Sequence, residues 1–228
     1  MWSRYLGVGL AAALAVLTLS LTVAGRLQLY INTSQAWFAC GMAALLLIGT
    51  VAAIAVRPRE DHDHGSANRA AQIAGVSGAA LAGIVVAVAL ILPPATLSAQ
   101  LAMERDTGTP PLFAGADDVQ LGVVDTSNFG IGDWSAAFQT ATNPERYVGE
   151  SVTLTGFLTE GSLSRLVITH CVIDAQTATL PIDADLAGLD TGDWVEITGD
   201  VDVDADGELV IEATGVTPID EPKDPYEY

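Results

Sequence analysis

Cysteine, histidine and charge are all scarce in this chain. Its 228 residues include two cysteines and three histidines, and only 16% are charged against 50% hydrophobic. One cysteine, Cys40, lies inside an apolar run, which leaves Cys171 as the single thiol of the polar part. A structural zinc site built by one copy needs about four nitrogen or sulfur ligands, and the polar part lacks a second thiol or a second histidine to complete one. There is no phosphate-binding glycine loop, no Ser-His-Asp order and no metalloprotease helix motif, so the common hydrolytic and nucleotide-dependent chemistries lack their residues. A lone thiol beside a histidine needs a base and an orienting group to become a nucleophile, and neighbours in sequence supply neither, so no enzymatic role is expected.

Positive charge is also missing, and unevenly so. The net charge is −19. Residues 1–98 carry Arg4, Arg26, Arg57, Arg59 and Arg69 against Glu60, Asp61 and Asp63, a net of +2. Residues 99–228 hold the other 4 basic and 25 acidic residues, a net of −21. A region this acidic repels phosphate backbones, which argues against nucleic acid and anionic lipid as ligands and favours cations weakly.

What the first half has is long uncharged runs: Leu6 to Ala24, Ala36 to Val56 and Ala70 to Leu92. A bilayer core of about 30 Å takes roughly 20 helical residues, so three membrane spans are predicted at 6–24, 36–56 and 70–92. A cleavable signal is the other reading of the first run, but Val23, Ala24 and Gly25 lead into Arg26 without a clean A-x-A site. Arg4, Arg57, Arg59 and Arg69 would share one side and Arg26 the other, which places the N-terminus and the 57–69 loop in the cytoplasm. The polar region then falls outside a plasma membrane. No span carries a central ionisable residue of the kind that marks an ion or proton path. Cys40 reads as a packed thiol. Gly75, Gly78, Ala79, Ala82 and Gly83 give the third run a smooth face for a neighbouring helix.

Residues 1–94 are thus expected to form the membrane region, and 95–142 a linker with one short helix. Trp134, Ala137, Phe138 and Ala141 recur at helical spacing there, Asp133 is placed to cap the helix, and Asn143-Pro144 ends it. From Tyr147 the period becomes two. Strands are predicted at GESVTLTGFLT, RLVITHCVIDA, TATLPID, DWVEITGDVDV and ELVIEATGVTPI, with a bulge or coil at Gly156 and a hairpin turn at Asp206-Gly207. The pattern Gly-acid-x-Val-x-Leu/Ile-Thr-Gly occurs at 149–156 and again at 192–199. Five short strands over 143–220 point to a small all-β, OB-like barrel domain outside the membrane, followed by a tail at 221–228. The usual oligonucleotide role of such barrels does not suit a surface without a basic groove or stacking aromatics.

Three places have metal-type residues. Asp202, Asp204, Asp206 and Gly207 imitate a calcium loop, but the twelfth position is Ala213 rather than Glu and the flanks are strands, so a hairpin tip is expected. His62 and His64 alternate with Asp61 and Asp63 in the cytoplasmic loop, a weak transition-metal pattern that is also ordinary loop sequence. His170, Cys171 and Asp174 are the stronger candidates, with imidazole, thiolate and carboxylate suited to zinc. Adjacent strand residues face opposite ways, so His170 and Cys171 can share one ion only where the strand bends. The readings left open are an incomplete ligand set completed by a partner or by a second copy in a homo-oligomer, a cysteine packed in the barrel wall, and a strand end where Asp174 caps a turn.

The HDH loop (62–64), LPP (92–94), NPERYVGESVTLTGF (143–157), VITHCVIDAQ (167–176), DWVEITG (193–199) and PKDPYEY (222–228) together resemble the YcgQ-like permease-subunit family, the smaller membrane subunit of an uncharacterised bacterial two-gene predicted permease system. That resemblance covers nearly the whole chain. It implies an accessory or regulatory subunit acting with a larger multi-span permease, in the context of transition-metal, particularly zinc, supply. Many members show a Cys-Cys pair where this chain has His170-Cys171; a metal role survives that change, whereas a vicinal dithiol does not. The alternative function is an extracytoplasmic metal-binding or redox-sensing protein acting through Cys171.

Overall fold

The computed structural model describes residues 2–55 and 126–228, with scattered positions between 77 and 104. The loop bearing His62 and His64 lies outside the described residues, as does most of the predicted span 70–92. The chain divides into two compact units, Met1–Ala95 and Thr96–Tyr228.

In the first unit, α1 (Trp2–Val23) and α2 (Ala36–Ala55) are packed on one another. At 1.5 Å per residue each is about 30 Å long, the thickness of a bilayer core. Among the described residues two helices, Leu6–Val23 and Thr33–Ala55 by their apolar windows, are long and apolar enough to cross a membrane. Small side chains meet where they pack: Ala15 and Ala43 are buried, and Thr22 Oγ1 lies 3.3 Å from Cys40 Sγ. The large side chains face outward, among them Trp37, Leu45, Ile48, Val51 and Ile54, the reverse of a soluble core helix. The hydroxyls of Thr18, Thr22 and Thr50 donate to carbonyls of their own helices, at Leu14, Thr18 and Leu47. Such internal satisfaction is what an environment without water requires. Between the helices, Gly25 and two single 3-10 turns reverse the chain, and Asn32 Oδ1 accepts from the Ser34 amide at 2.9 Å.

Over residues 126–228 the second unit forms a five-stranded β-barrel with one α-helix and a short added strand. Its elements are α3 (Ile131–Thr140), β1 (Ser151–Thr159), β2 (Ser162–Val167), β3 (Gln176–Asp183), β4 (Trp194–Val203), β5 (Leu209–Pro218) and β6 (Tyr226–Glu227). β1 pairs antiparallel with β2 and β4, β4 with β5, and β2 with β3; a short parallel pairing of β3 with β5 closes the ring. β6 adds in parallel to β2, Leu166 opposite Tyr226 and Val167 opposite Glu227.

Alternation in the strands decides what is inside. In β4, Val195, Ile197 and Val201 are buried while Glu196, Thr198 and Asp200 face water or the barrel rim. Leu154, Leu158, Leu163, Leu180 and Ile211 complete the interior with them. α3 packs on β1, β2 and β3 and inserts Ile131 and Trp134 into that same core. Ala137, Phe138 and Ala141 pack beside it, the face foreseen from their spacing. Phe129, Phe138 and Tyr147 surround the Trp134 ring edge-to-face at 5.2–5.9 Å. The core therefore extends beyond 143–220 in both directions, to α3 and to the buried Tyr226.

Three local expectations are corrected. The second strand does not run through RLVITHCVIDA: β2 ends at Val167, and residues 172–174 form a 3-10 turn. Of the bulge or coil allowed at Gly156 the bulge is absent: β1 stays in register with β4 through it, passes to β2 from Phe157, and the irregularity falls at Thr198/Gly199 in the β4–β5 ladder. What Gly156 provides is close approach, because a Cβ there would lie 2.6 Å from the Ser164 carbonyl oxygen and 2.8 Å from Ile131 Cδ1. Finally, α3 starts at Ile131, so Asp133 stands in its first turn rather than before it, and its carboxylate accepts from the Gly130 amide at 3.1 Å.

Candidate functional site

The connection between β2 and β3 is organised by one carboxylate. Asp174 accepts from the backbone amides of Thr169 (3.1 Å), His170 (2.9 Å) and Cys171 (3.2 Å), and its Oδ2 lies 3.2 Å from His170 Nδ1. The Asp174 amide in turn donates to the Cys171 carbonyl at 2.9 Å. Collecting three successive amides on one acceptor curls the backbone out of the sheet, which is why β2 stops before the histidine. Of the readings of this segment, the strand end capped by Asp174 is the one the geometry matches.

This turn alters what the three candidates can do. Asp174 has its oxygens engaged as acceptors, so it acts on the loop's shape and on the imidazole before it acts on any ion. A carboxylate beside Nδ1 directs Nε2 outward, the arrangement by which a carboxylate orients a metal-binding histidine. The His170 side chain is 67% exposed, and Cys171 is a half-buried free thiol. Ile173, 84% exposed, projects from the same turn. Among the described residues, no group of three or more His, Cys, Asp and Glu side chains is arranged to hold a metal ion. The loop thus offers one imidazole and one thiol, and among the described residues no tetrahedral set is completed around them.

At the β4–β5 hairpin tip, Asp204 Oδ1 accepts from the amides of Asp206 and Glu208, both at 2.9 Å, and Gly207 takes φ +86°. The calcium-like spacing is thereby spent on a turn, as expected from its strand flanks.

A second polar cluster, unnoticed in the sequence, lies where the chain's final residues meet α3 and β2. Arg165, the only basic residue in the strands β1–β6 of the described residues, donates from Nη1 to the Thr155 carbonyl (2.8 Å) and from Nη2 to the carbonyls of Asp224 (3.0 Å) and Tyr226 (3.4 Å). Its guanidinium also lies 5.8 Å from the centre of the Trp194 ring. Glu227 accepts from the amides of Ile131 (3.1 Å) and Gly132 (2.8 Å), the first turn of α3, and lies 3.9 Å from Arg165 Nη1. Two amide donors of a helix start are thus satisfied by a residue about ninety-five positions away. Burial pushes the Glu227 carboxyl above its usual range; the Gly132 and Ile131 amides and Arg165 oppose that rise, and Asp133 adds to it. The Tyr228 hydroxyl donates to Asp224 Oδ1 at 2.8 Å and is also held above its ordinary value, by burial first and then by Asp224. The sequence signal for this cluster was a lone arginine among acidic strands, together with the aromatic-acid pair Tyr226-Glu227 after Pro225.

Apolar N-terminal helices joined to a compact β-barrel define an architecture of a membrane-type region followed by a folded polar domain. The chain carries the two parts of one family: a DUF1980 N-terminal domain at residues 8–108 and a DUF1980 C-terminal domain at residues 134–228. The second begins inside α3 and runs through β6, in agreement with a core that includes both. No curated protein and no solved structure matches the chain.

Proposed function

We propose that this protein is a membrane-anchored accessory subunit of a larger multi-span permease, with its barrel domain outside the cell and in contact with the permease or its cargo. The observation that carries the reading is the contrast between the two units. The helices expose large apolar side chains along their length and hold no central ionisable group, which suits lipid and a neighbouring helix rather than a conduction path. The barrel presents a loop with an exposed imidazole, His170, and a half-buried thiol, Cys171, beside Asp174, and among the described residues this does not close into a metal-holding group. A third span at 70–92 would carry the chain to the outer face, as the arginine distribution requires. The ring order β1-β2-β3-β5-β4, with its parallel β3–β5 closure, supports the OB-like assignment. The acidic surface turns that fold away from nucleic acid and toward a protein or a cation. If the reading holds, the protein co-purifies from detergent with a large membrane protein encoded beside it; purification alone, with no such neighbour, would sink it.

A second reading is favoured by the Asp174–His170 geometry. In it, the barrel binds zinc or another transition metal through His170 Nε2 and Cys171, and a partner or a second copy supplies the remaining ligands. The full-length protein should then bind zinc in a ratio that falls when Cys171→Ser is introduced. Equal binding by wild type and variant, or none by either, removes this reading and leaves the first standing.

A further inference from the structure

The groove between β2 and the start of α3 has the parts of a peptide-binding site, and the chain's own segment Asp224–Tyr228 lies in it. We propose that this groove binds an extended peptide carrying an aromatic residue followed by glutamate, filled at rest by the chain's own Tyr226-Glu227 and open to the same pair on another segment.

The groups that recognise the segment all lie outside it. The backbone is read by β2: Leu166 and Val167 pair in parallel with Tyr226 and Glu227, and the Ile168 amide donates to the Glu227 carbonyl at 2.8 Å. Arg165 Nη2 reaches the carbonyls of Asp224 and Tyr226 while Nη1 is fixed on the Thr155 carbonyl, so the guanidinium bridges β1 to the added strand. Main-chain contacts of this kind supply affinity whatever the side chains, as in strand addition generally. Specificity comes from two side chains. Tyr226 is 2% exposed and so is enclosed by the domain. The Glu227 carboxylate takes one amide on each oxygen, Ile131 on Oε1 at 3.1 Å and Gly132 on Oε2 at 2.8 Å, with Arg165 Nη1 3.9 Å from Oε1. That arrangement calls for an acceptor at both positions, which a carboxylate provides; in glutamine one of them becomes an NH2 group facing an amide donor. Gly130 completes the fit, because a Cβ there would lie 2.6 Å from Oε2.

The resident segment is a short element. β6 has two residues, and its connection from β5, which ends at Pro218, exposes Asp220, Glu221 and Lys223 and carries Pro222 and Pro225, which have no amide to donate. The ring β1-β2-β3-β5-β4 closes without β6, and the walls of the groove belong to α3, β1 and β2. Opening of so small a unit costs less than unfolding the domain, so a competing segment gains the groove while the barrel stays folded. Its apparent affinity is reduced by the fraction of molecules whose groove is open.

The test uses the full chain in detergent and a labelled, end-capped peptide of residues 222–228. The double variant Tyr226→Ala/Glu227→Ala frees the groove of its own segment, and it is expected to bind the peptide saturably and at least about tenfold more tightly than the wild type, whose segment competes. A peptide carrying Glu227→Gln should bind about tenfold more weakly than its parent. A second arm keeps every native contact: a protease site placed between the exposed Asp220 and Glu221 lets the segment be cut loose, and the labelled peptide should replace it in the cut protein. Failure of the peptide to enter the cut protein overturns the proposal, as does equal binding of the parent and Glu227→Gln peptides. Capture of tagged wild type by the double variant, reversed by free peptide, identifies a second copy as the source of the competing segment; peptide binding without such capture identifies another protein.

Discussion

Single side chains settle several local structures here, and each can be tested alone. Trp134 is 1% exposed and is ringed by Phe129, Phe138 and Tyr147. Truncating such an aromatic costs about 3–5 kcal/mol. Trp134→Ala should therefore shift the denaturant midpoint of the barrel strongly while leaving the helical signal of the first unit in place. Gly156→Ala should also destabilise, because its new methyl meets a backbone carbonyl at 2.6 Å in a ladder that cannot move aside. Asp174→Ala should release the amides of Thr169, His170 and Cys171, seen as faster exchange at those three positions, at a cost of about 1 kcal/mol. Unchanged exchange there would show that the loop is shaped by something other than Asp174.

Among the elements, those whose pattern is local were legible in advance. The period-two runs that became β1, β3, β4 and β5, the helical face of α3 and the Asp-Gly hairpin all depend on neighbours within a few residues. What escaped depends on partners far along the chain or on a local competitor for backbone amides. β2 was read as running through His170 because Val167, Ile168 and Cys171 look strand-like, whereas Asp174 takes up the amides. The cap of α3 escaped because Glu227 lies so far from Ile131. In the same way, the His170/Cys171 pair could be picked out by residue type, but its turn geometry and the role of Asp174 rest on hydrogen bonds that spacing does not encode. Element by element, the hairpin gives the simplest check. Gly207 has φ +86° with open space around it, so Gly207→Ala should cost about 1 kcal/mol through backbone strain alone, read as a lower Tm with an unchanged strand signal.

At the scale of the whole molecule, the division of charge matters most. Residues 99–228 carry −21 against +2 for residues 1–98, and self-repulsion on so small a domain is relieved by salt. Raising ionic strength from about 0.01 M to about 0.15 M should raise the Tm of the barrel transition; a fall would mean that ion pairs, rather than repulsion, dominate its surface. The same imbalance, together with helices that turn large apolar groups outward and the loop that bears His170, Cys171 and Asp174, motivates the proposal of an accessory role beside a permease. The most direct measurement is cross-linking in intact cells, followed by detergent extraction of the tagged full-length protein and identification of what stays attached. The account predicts one large multi-span membrane protein, recovered in a fixed ratio and lost when the barrel residues 126–228 are removed. Recovery of the protein alone, or only with copies of itself, would contradict it.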